Sequence, residues 1–124
     1  LGKYYIVDIG LRNYLLGFRN RDIGHIIENI VYFELLRRGY DVAIGKIGDN
    51  EIDFIATNAN TKIYIQVTEN IANSSTRERE LTPFYKIQDN FEKMIITNDE
   101  SYLGVHDGIK IIRLVDFLLD KNIF

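Results

Sequence analysis

Three short stretches carry residue types suited to chemistry on a phosphate ester. In Glu51-Ile52-Asp53-Phe54, a strand conformation puts Glu51 and Asp53 on one face, because alternate residues of a strand share a side. Across Lys62 to Thr68 the same alternation separates Ile63, Ile65 and Val67 from Tyr64, Gln66 and Thr68, so an amide and a hydroxyl stand two residues apart. The third stretch is a helix in which Glu28 falls between Tyr32 and Leu35, opposite the main apolar stripe. A carboxylate in such an arc needs a partner, a water channel or a cation, because desolvating it unpaired is costly. Hydrolysis of a phosphodiester with Mg²⁺ calls for hard oxygen ligands, carboxylates helped by a carbonyl or water, which polarise the phosphate and activate the attacking water. If the Asp53 and Gln66 strands pair as a hairpin and the Glu28 helix packs over that face, Glu28, Asp53, Gln66 and Thr68 converge. Ordinary readings stand beside this one. Glu28 pairs with His25 or an arginine, Asp53 is an edge-strand acid, Gln66 and Thr68 are an outward polar pair, and Glu51 is a solvated charge at a strand start.

The elements that must position these residues follow from periodicity and punctuation. Tyr4 to Val7 predicts a strand and Leu11 to Leu16 a short helix ending near Gly17. Asp22 reads as the cap of a helix with its stripe at Ile23, Ile26, Ile27, Ile30 and Phe33. That helix stops at Gly39, with Arg37 and Arg38 in its last turn and apolar residues on both faces. Asp41 to Lys46, Glu51 to Thr57 and Lys62 to Thr68 predict a three-strand meander, broken at Gly48 to Asn50 and Asn58 to Asn60. Ser74 to Ile87 predicts a helix capped by Ser75 or Thr76, kinked or restarted at Pro83. Phe91 to Thr97 and Ile109 to Leu114 read as strands, and Val115 to Leu119 as a terminal helix. The order predicts a single α/β domain over residues 1–124, a mixed central sheet with the Glu28 helix on one side and the Arg77 helix on the other.

Composition narrows the function. The 124 residues are 46% hydrophobic and 27% charged, enough for one core. With 15 basic and 18 acidic side chains the net charge is −3, so any polyanion site must be a local patch. Arg77, Arg79 and Lys46, with Arg37, Arg38 and Lys86, are the candidates for a phosphate-contacting rim, against a solvated face in which Glu78 and Glu80 are interleaved. No cysteine is present, which excludes a disulfide scaffold, thiolate metal sites and cysteine nucleophiles, and makes the cytoplasm the default compartment. His25 and His106 lack zinc spacing, no nucleophile elbow occurs, and no stretch reads as transmembrane.

The run Gly24-x-x-x-Glu28, Gly39-Tyr40-Asp41-Val42, Glu51-Ile52-Asp53-Phe54 and Ile65-Gln66-Val67-Thr68 resembles the PD-(D/E)XK nuclease core, over roughly residues 22 to 97. With Tyr4 to Arg12 and the Glu28-Asn29 helix included, nearly the whole chain is similar to the carboxy-terminal domain of unknown function of many archaeal and bacterial AAA+ ATPases. The resemblance implies a restriction-endonuclease-like fold, a carboxy-terminal fragment preceded by an ATPase and a winged helix, and a Mg²⁺ or Mn²⁺ site built from Asp53, Gln66 and Glu28. No phosphate-binding G-x-x-x-x-G-K-[ST] loop occurs here, so ATP hydrolysis would lie outside this chain. Gln66 stands where an active nuclease has Asp or Glu, and Thr68 where it has the catalytic lysine. Glutamine adds no charge to hold a hard cation, and threonine cannot orient the attacking water or stabilise charge on the phosphate. The expectation is a degenerate nuclease-like module for DNA or protein recognition, with an active Mg²⁺- or Mn²⁺-dependent endonuclease as the alternative. In the alternative a displaced Lys46 or Lys86 replaces the missing cation.

Overall fold

The computed structural model describes residues 20–120, and the strand and helix expected between Tyr4 and Leu16 lie outside them. The described elements are α1 (Asn20–Arg37), β1 (Asp41–Ile47), β2 (Asn50–Thr57), β3 (Lys62–Thr68), α2 (Ser74–Tyr85), β4 (Glu92–Thr97), β5 (Gly104–His106), β6 (Ile109–Arg113) and α3 (Leu114–Leu119). One six-stranded sheet runs in the order β1-β2-β3-β4-β6-β5. β1–β2–β3 is the expected antiparallel meander, while β4 lies parallel to both β3 and β6. A parallel neighbour cannot be reached by a tight turn, so the chain crosses over through α2 between β3 and β4. The fold is thus α/β, a mixed sheet flanked by helices.

The helices take opposite faces. Ile27, Val31 and Leu35 of α1, spaced four apart, pack with Phe117 of α3 on Phe54, Ala56, Ile63, Ile65, Met94 and Ile96. Leu81 and Phe84 of α2 pack on Ile52, Tyr64, Ile95, Ile109 and Ile111 from the other side. Double coverage explains why Ile63 to Gln66 and Met94 to Thr97 are buried without interruption, the signature of a strand enclosed on both faces. The buried stripe of α1 is rotated from the expected one: Ile30 of that stripe is exposed, and Val31 and Leu35 are fully buried beside Ile27. Arg38 locks this layer by donating to Glu34 and to the Phe117 carbonyl, each at 2.6 Å.

Several boundaries differ from the sequence reading for identifiable reasons. α1 is already helical at Asn20, so Asp22 lies within it, while Gly39 ends it as expected at φ +90°, with Tyr40 N–H reaching Leu35 O at 3.1 Å. Asn73, not Ser75 or Thr76, caps α2, accepting from Ser75 N at 2.9 Å and Thr76 N at 3.4 Å. α2 passes through Pro83, which cannot donate to the carbonyl four residues before it, and stops two residues later at Tyr85. The unexpected β5 forms a hairpin with β6 through Asp107 and Gly108, both at positive φ, the geometry an Asp-Gly turn favours.

β2 carries the one irregularity that matters for the site. Between the pairs Ala43–Ile55 and Gly45–Ile52, β2 sets Asp53 and Phe54 against the single residue Ile44, a β-bulge. Alternation therefore breaks at Asp53: Ile52 joins the α2 cluster although Phe54 joins the α1 cluster. Glu51 and Asp53 consequently do not share a regular strand face, and Glu51 is exposed. Gly45 is needed opposite the bulge, because a Cβ there would lie 2.6 Å from Ile55 Cδ1 and 3.1 Å from Ile52 Cβ. Gly45→Ala is expected to destabilise the domain by about 1–2 kcal/mol through overpacking, read as a lower urea midpoint at unchanged slope.

Candidate functional site at the β2 bulge

The bulge distorts the pairing of β2 with β1, and on the other side of β2 the regular ladder to β3 ends at the Phe54–Ile65 pair, beyond which two side chains bond main chain across the strands. Gln66 Oε1 accepts from Asp53 N at 2.8 Å, and Asp53 Oδ2 accepts from Val67 N at 2.8 Å. Each residue satisfies a main-chain N–H on the partner strand's side of the gap, so the pair acts as a reciprocal clamp. Gln66 is buried at 5% exposure, where an amide is stable only with its bonds made. A carboxylate accepting a backbone N–H in partial burial makes a charge-assisted bond, stronger than the neutral ladder bond it replaces.

A second carboxyl approaches from the helix above. Glu80 on α2 is pushed up from 4.5 to about 7, first by its own burial and then by the negative charge of Asp53, with Arg79 pulling partly the other way. The sequence reading had grouped Glu80 with Glu78 as solvated charges. The missed signal is its place beside buried Leu81 and four residues before buried Phe84, on the inward stripe of α2.

Loops at the carboxy ends of β3 and β4 frame this corner. The Asp99 carboxylate accepts from Ile71 N at 3.2 Å, Ala72 N at 3.1 Å, Ser101 N at 3.0 Å and Ser101 Oγ at 2.8 Å. Those donors, Ser101 first, hold Asp99 below the usual carboxylate range. Arg77 closes the same corner, donating to the carbonyls of Ile71 at 3.3 Å and Ala72 at 3.0 Å and lying 4.0 Å above the Tyr102 ring.

The expected site residues are partly brought together. Asp53 and Gln66 are in direct contact, and Thr68 lies two residues beyond Gln66 on β3, its hydroxyl donating to Asn70 O at 3.2 Å. Glu28 is half-buried on α1, the helix on the opposite face from α2, so this helix does not cover the Gln66 and Thr68 face as anticipated. Its nearest landmark is Tyr32, one turn on, whose ring stacks on Phe54 at 5.9 Å beside the bulge. Among the rim candidates, Arg77 is engaged with the loop it closes, while Arg79, Lys86 and Lys46 are exposed on α2, at its end and on β1. Among the described residues no group of three or more His, Asp or Glu side chains is placed to hold a metal ion. Gln66 Oε1 and Asp53 Oδ2 both serve backbone donors, so this donor set fits a hard-cation cage poorly.

Comparison with known proteins finds no matching family model and no matching solved structure. An uncharacterized protein of Haemophilus influenzae is 42% identical over 117 residues, covering 94% of this chain and 28% of that protein. The uncharacterized protein MJ1544 of Methanocaldococcus jannaschii is 34% identical over 127 residues, covering 93% of this chain and 28% of its own length. The chain therefore spans little more than a quarter of the relatives it matches. No helix among the described residues is long and apolar enough to cross a membrane.

Two measurements test the site's energetics. Asp53→Ala leaves Val67 N–H without its acceptor and is expected to cost about 1–3 kcal/mol in urea unfolding, whereas Asp53→Asn keeps an acceptor oxygen and should cost less. For Glu80, the folded state retains a proton that the unfolded chain releases between pH 4.5 and about 7. Stability should thus fall as pH rises through that window, and Glu80→Gln should flatten the fall and be the more stable protein at pH 8.

Proposed function

We propose that this chain is a restriction-endonuclease-like module of a larger AAA+ ATPase, catalytically degenerate and used to recognise DNA or protein, in a cytoplasmic setting. The observation that carries degeneracy is the clamp: Gln66 Oε1 and Asp53 Oδ2, two oxygens that would face a cation and a phosphate, instead hold β2 to β3 beside the bulge. Thr68 supports the same reading, since its hydroxyl is turned to a loop carbonyl and it brings no positive charge to the phosphate position. The helices on opposite faces of a mixed sheet fit the arrangement that the PD-(D/E)XK resemblance implies. That both relatives are several times longer than this chain supports a role within a larger polypeptide.

One observation favours the alternative, a working Mg²⁺- or Mn²⁺-dependent DNA endonuclease. Glu80 brings a second carboxyl against Asp53, and two acids held close are what a divalent cation relieves. Calorimetric titration with Mg²⁺ and Mn²⁺ of the wild type and Asp53→Asn, with plasmid and branched-DNA cleavage on the same preparations, separates the readings. The degenerate module shows no cleavage in either protein. Wild-type metal binding and cleavage, both lost in Asp53→Asn, would establish the nuclease instead.

A further inference from the structure

At the opposite end of β4 from the clamp lies a groove of about 440 Å³, between the carboxy end of α2 and the start of β4. Two aromatic side chains in its lining are unusually open for their size, Tyr85 at 55% and Phe91 at 47% exposure. Neither is loosely held. The Tyr85 hydroxyl donates to Asp107 at 3.1 Å, and Phe91 N–H donates to the Asp89 carboxylate at 3.0 Å. The Tyr85 ring, tethered at its hydroxyl, loses little entropy when a ligand stacks on it, and Phe91 offers a second exposed ring beside it.

The charge of the groove selects the ligand. Its lining includes the acids Asp89, Glu92 and Asp107 and the cation Lys93, with Lys62 at its margin beside Phe91. Lys93 is engaged locally, donating to the carbonyls of Asp89 and Phe91 at 2.9 Å each and pairing with Asp89 at 3.7 Å. A phosphate would meet net negative charge there, and an ammonium or guanidinium would meet carboxylates and ring faces together. The protein's own lysines already show this chemistry. Lys62 Nζ lies 5.1 Å from the Tyr64 ring and 5.7 Å from Phe91, and Lys93 Nζ lies 5.8 Å from Tyr64.

We infer that this groove receives arginine or lysine side chains of a partner polypeptide, the cation stacking on Tyr85 and Phe91 and facing Asp107 and Glu92. Arginine suits it best, because a planar guanidinium stacks and bonds carboxylates at once. A polypeptide is the fitting source, since the relatives carry this domain inside much longer chains. The inference does not depend on the nuclease-like reading, because none of the clamp residues lines the groove.

The test is amide NMR of the ¹⁵N-labelled chain titrated with acetyl-Arg-Gly-Arg-amide, with acetyl-Glu-Gly-Glu-amide, oligothymidylate and spermidine as comparison probes. The arginyl peptide is expected to shift amides within 84–93 and 107–109, more at low salt than at high, with no response there to the glutamyl peptide. Binding should weaken about threefold or more in Phe91→Ala and in a Glu92→Gln, Asp107→Asn double variant, all at exposed positions. Absence of those shifts in the wild type overturns the inference, whatever the variants do. Equal binding by folded variants overturns it too, as does a stronger response of the same amides to oligothymidylate or spermidine.

Discussion

The bulge clamp between Asp53 and Gln66 is the interaction on which the centre of this domain depends. The bulge distorts β2 on its β1 side, and on its β3 side the regular ladder ends at the Phe54–Ile65 pair. Just beyond that pair the two side chains bond main-chain N–H groups across the strands, each at 2.8 Å, and carry the pairing of β2 with β3 onward. The consequences spread outward. The change of facing at Asp53 gives Ile52 to the core under α2 and Phe54 to the core under α1, so one residue of bulge divides one strand between two hydrophobic clusters. Gly45 has no side chain because Ile52 and Ile55 close over it, and Tyr32 finds Phe54 to stack on because the strand turns there.

Much of this architecture is legible in the sequence, since it rests on local periodicity. The meander from Asp41 to Thr68, the helix ending at Gly39, the crossover helix and the β4 and β6 strands all follow from apolar spacing and turn residues. So does the assignment of the two long helices to opposite faces. The short β5 strand was hidden because three residues carry no period, although the Asp107-Gly108 pair announces its hairpin. The α2 cap lies two or three residues before the expected one because Asn73, Ser74, Ser75 and Thr76 all have capping side chains, and only geometry chooses among them.

The site was legible in its members but not in its arrangement. Asp53 and Gln66 stand out as polar residues inside buried strands, and they do meet. What alternation cannot reveal is a bulge, because a one-residue insertion leaves the sequence pattern looking regular while shifting which neighbours share a face. Glu51 is thereby set apart from Asp53, and, independently of the bulge, the Glu28 helix packs on the other side of β3 from Gln66 and Thr68. Glu80 escaped notice for the opposite reason: in a run of alternating charges its burial depends on how α2 is rotated, which Leu81, Phe84 and Pro83 decide together.

Charge balance at the bulge connects these pieces. Asp53 is held as an acceptor by Val67 N–H, so its negative charge is part of the fold. Glu80, half-buried near it, is pushed up to about 7 by its burial first and by the charge of Asp53 second, with Arg79 pulling partly the other way. A lysine two residues after Gln66 would supply a positive charge to this corner and let both acids ionise, but Thr68 supplies none and bonds to Asn70 instead. The sheet needs no cation at position 68, because the clamp holds the strands by hydrogen bonds to backbone, which need neither a lysine nor a metal.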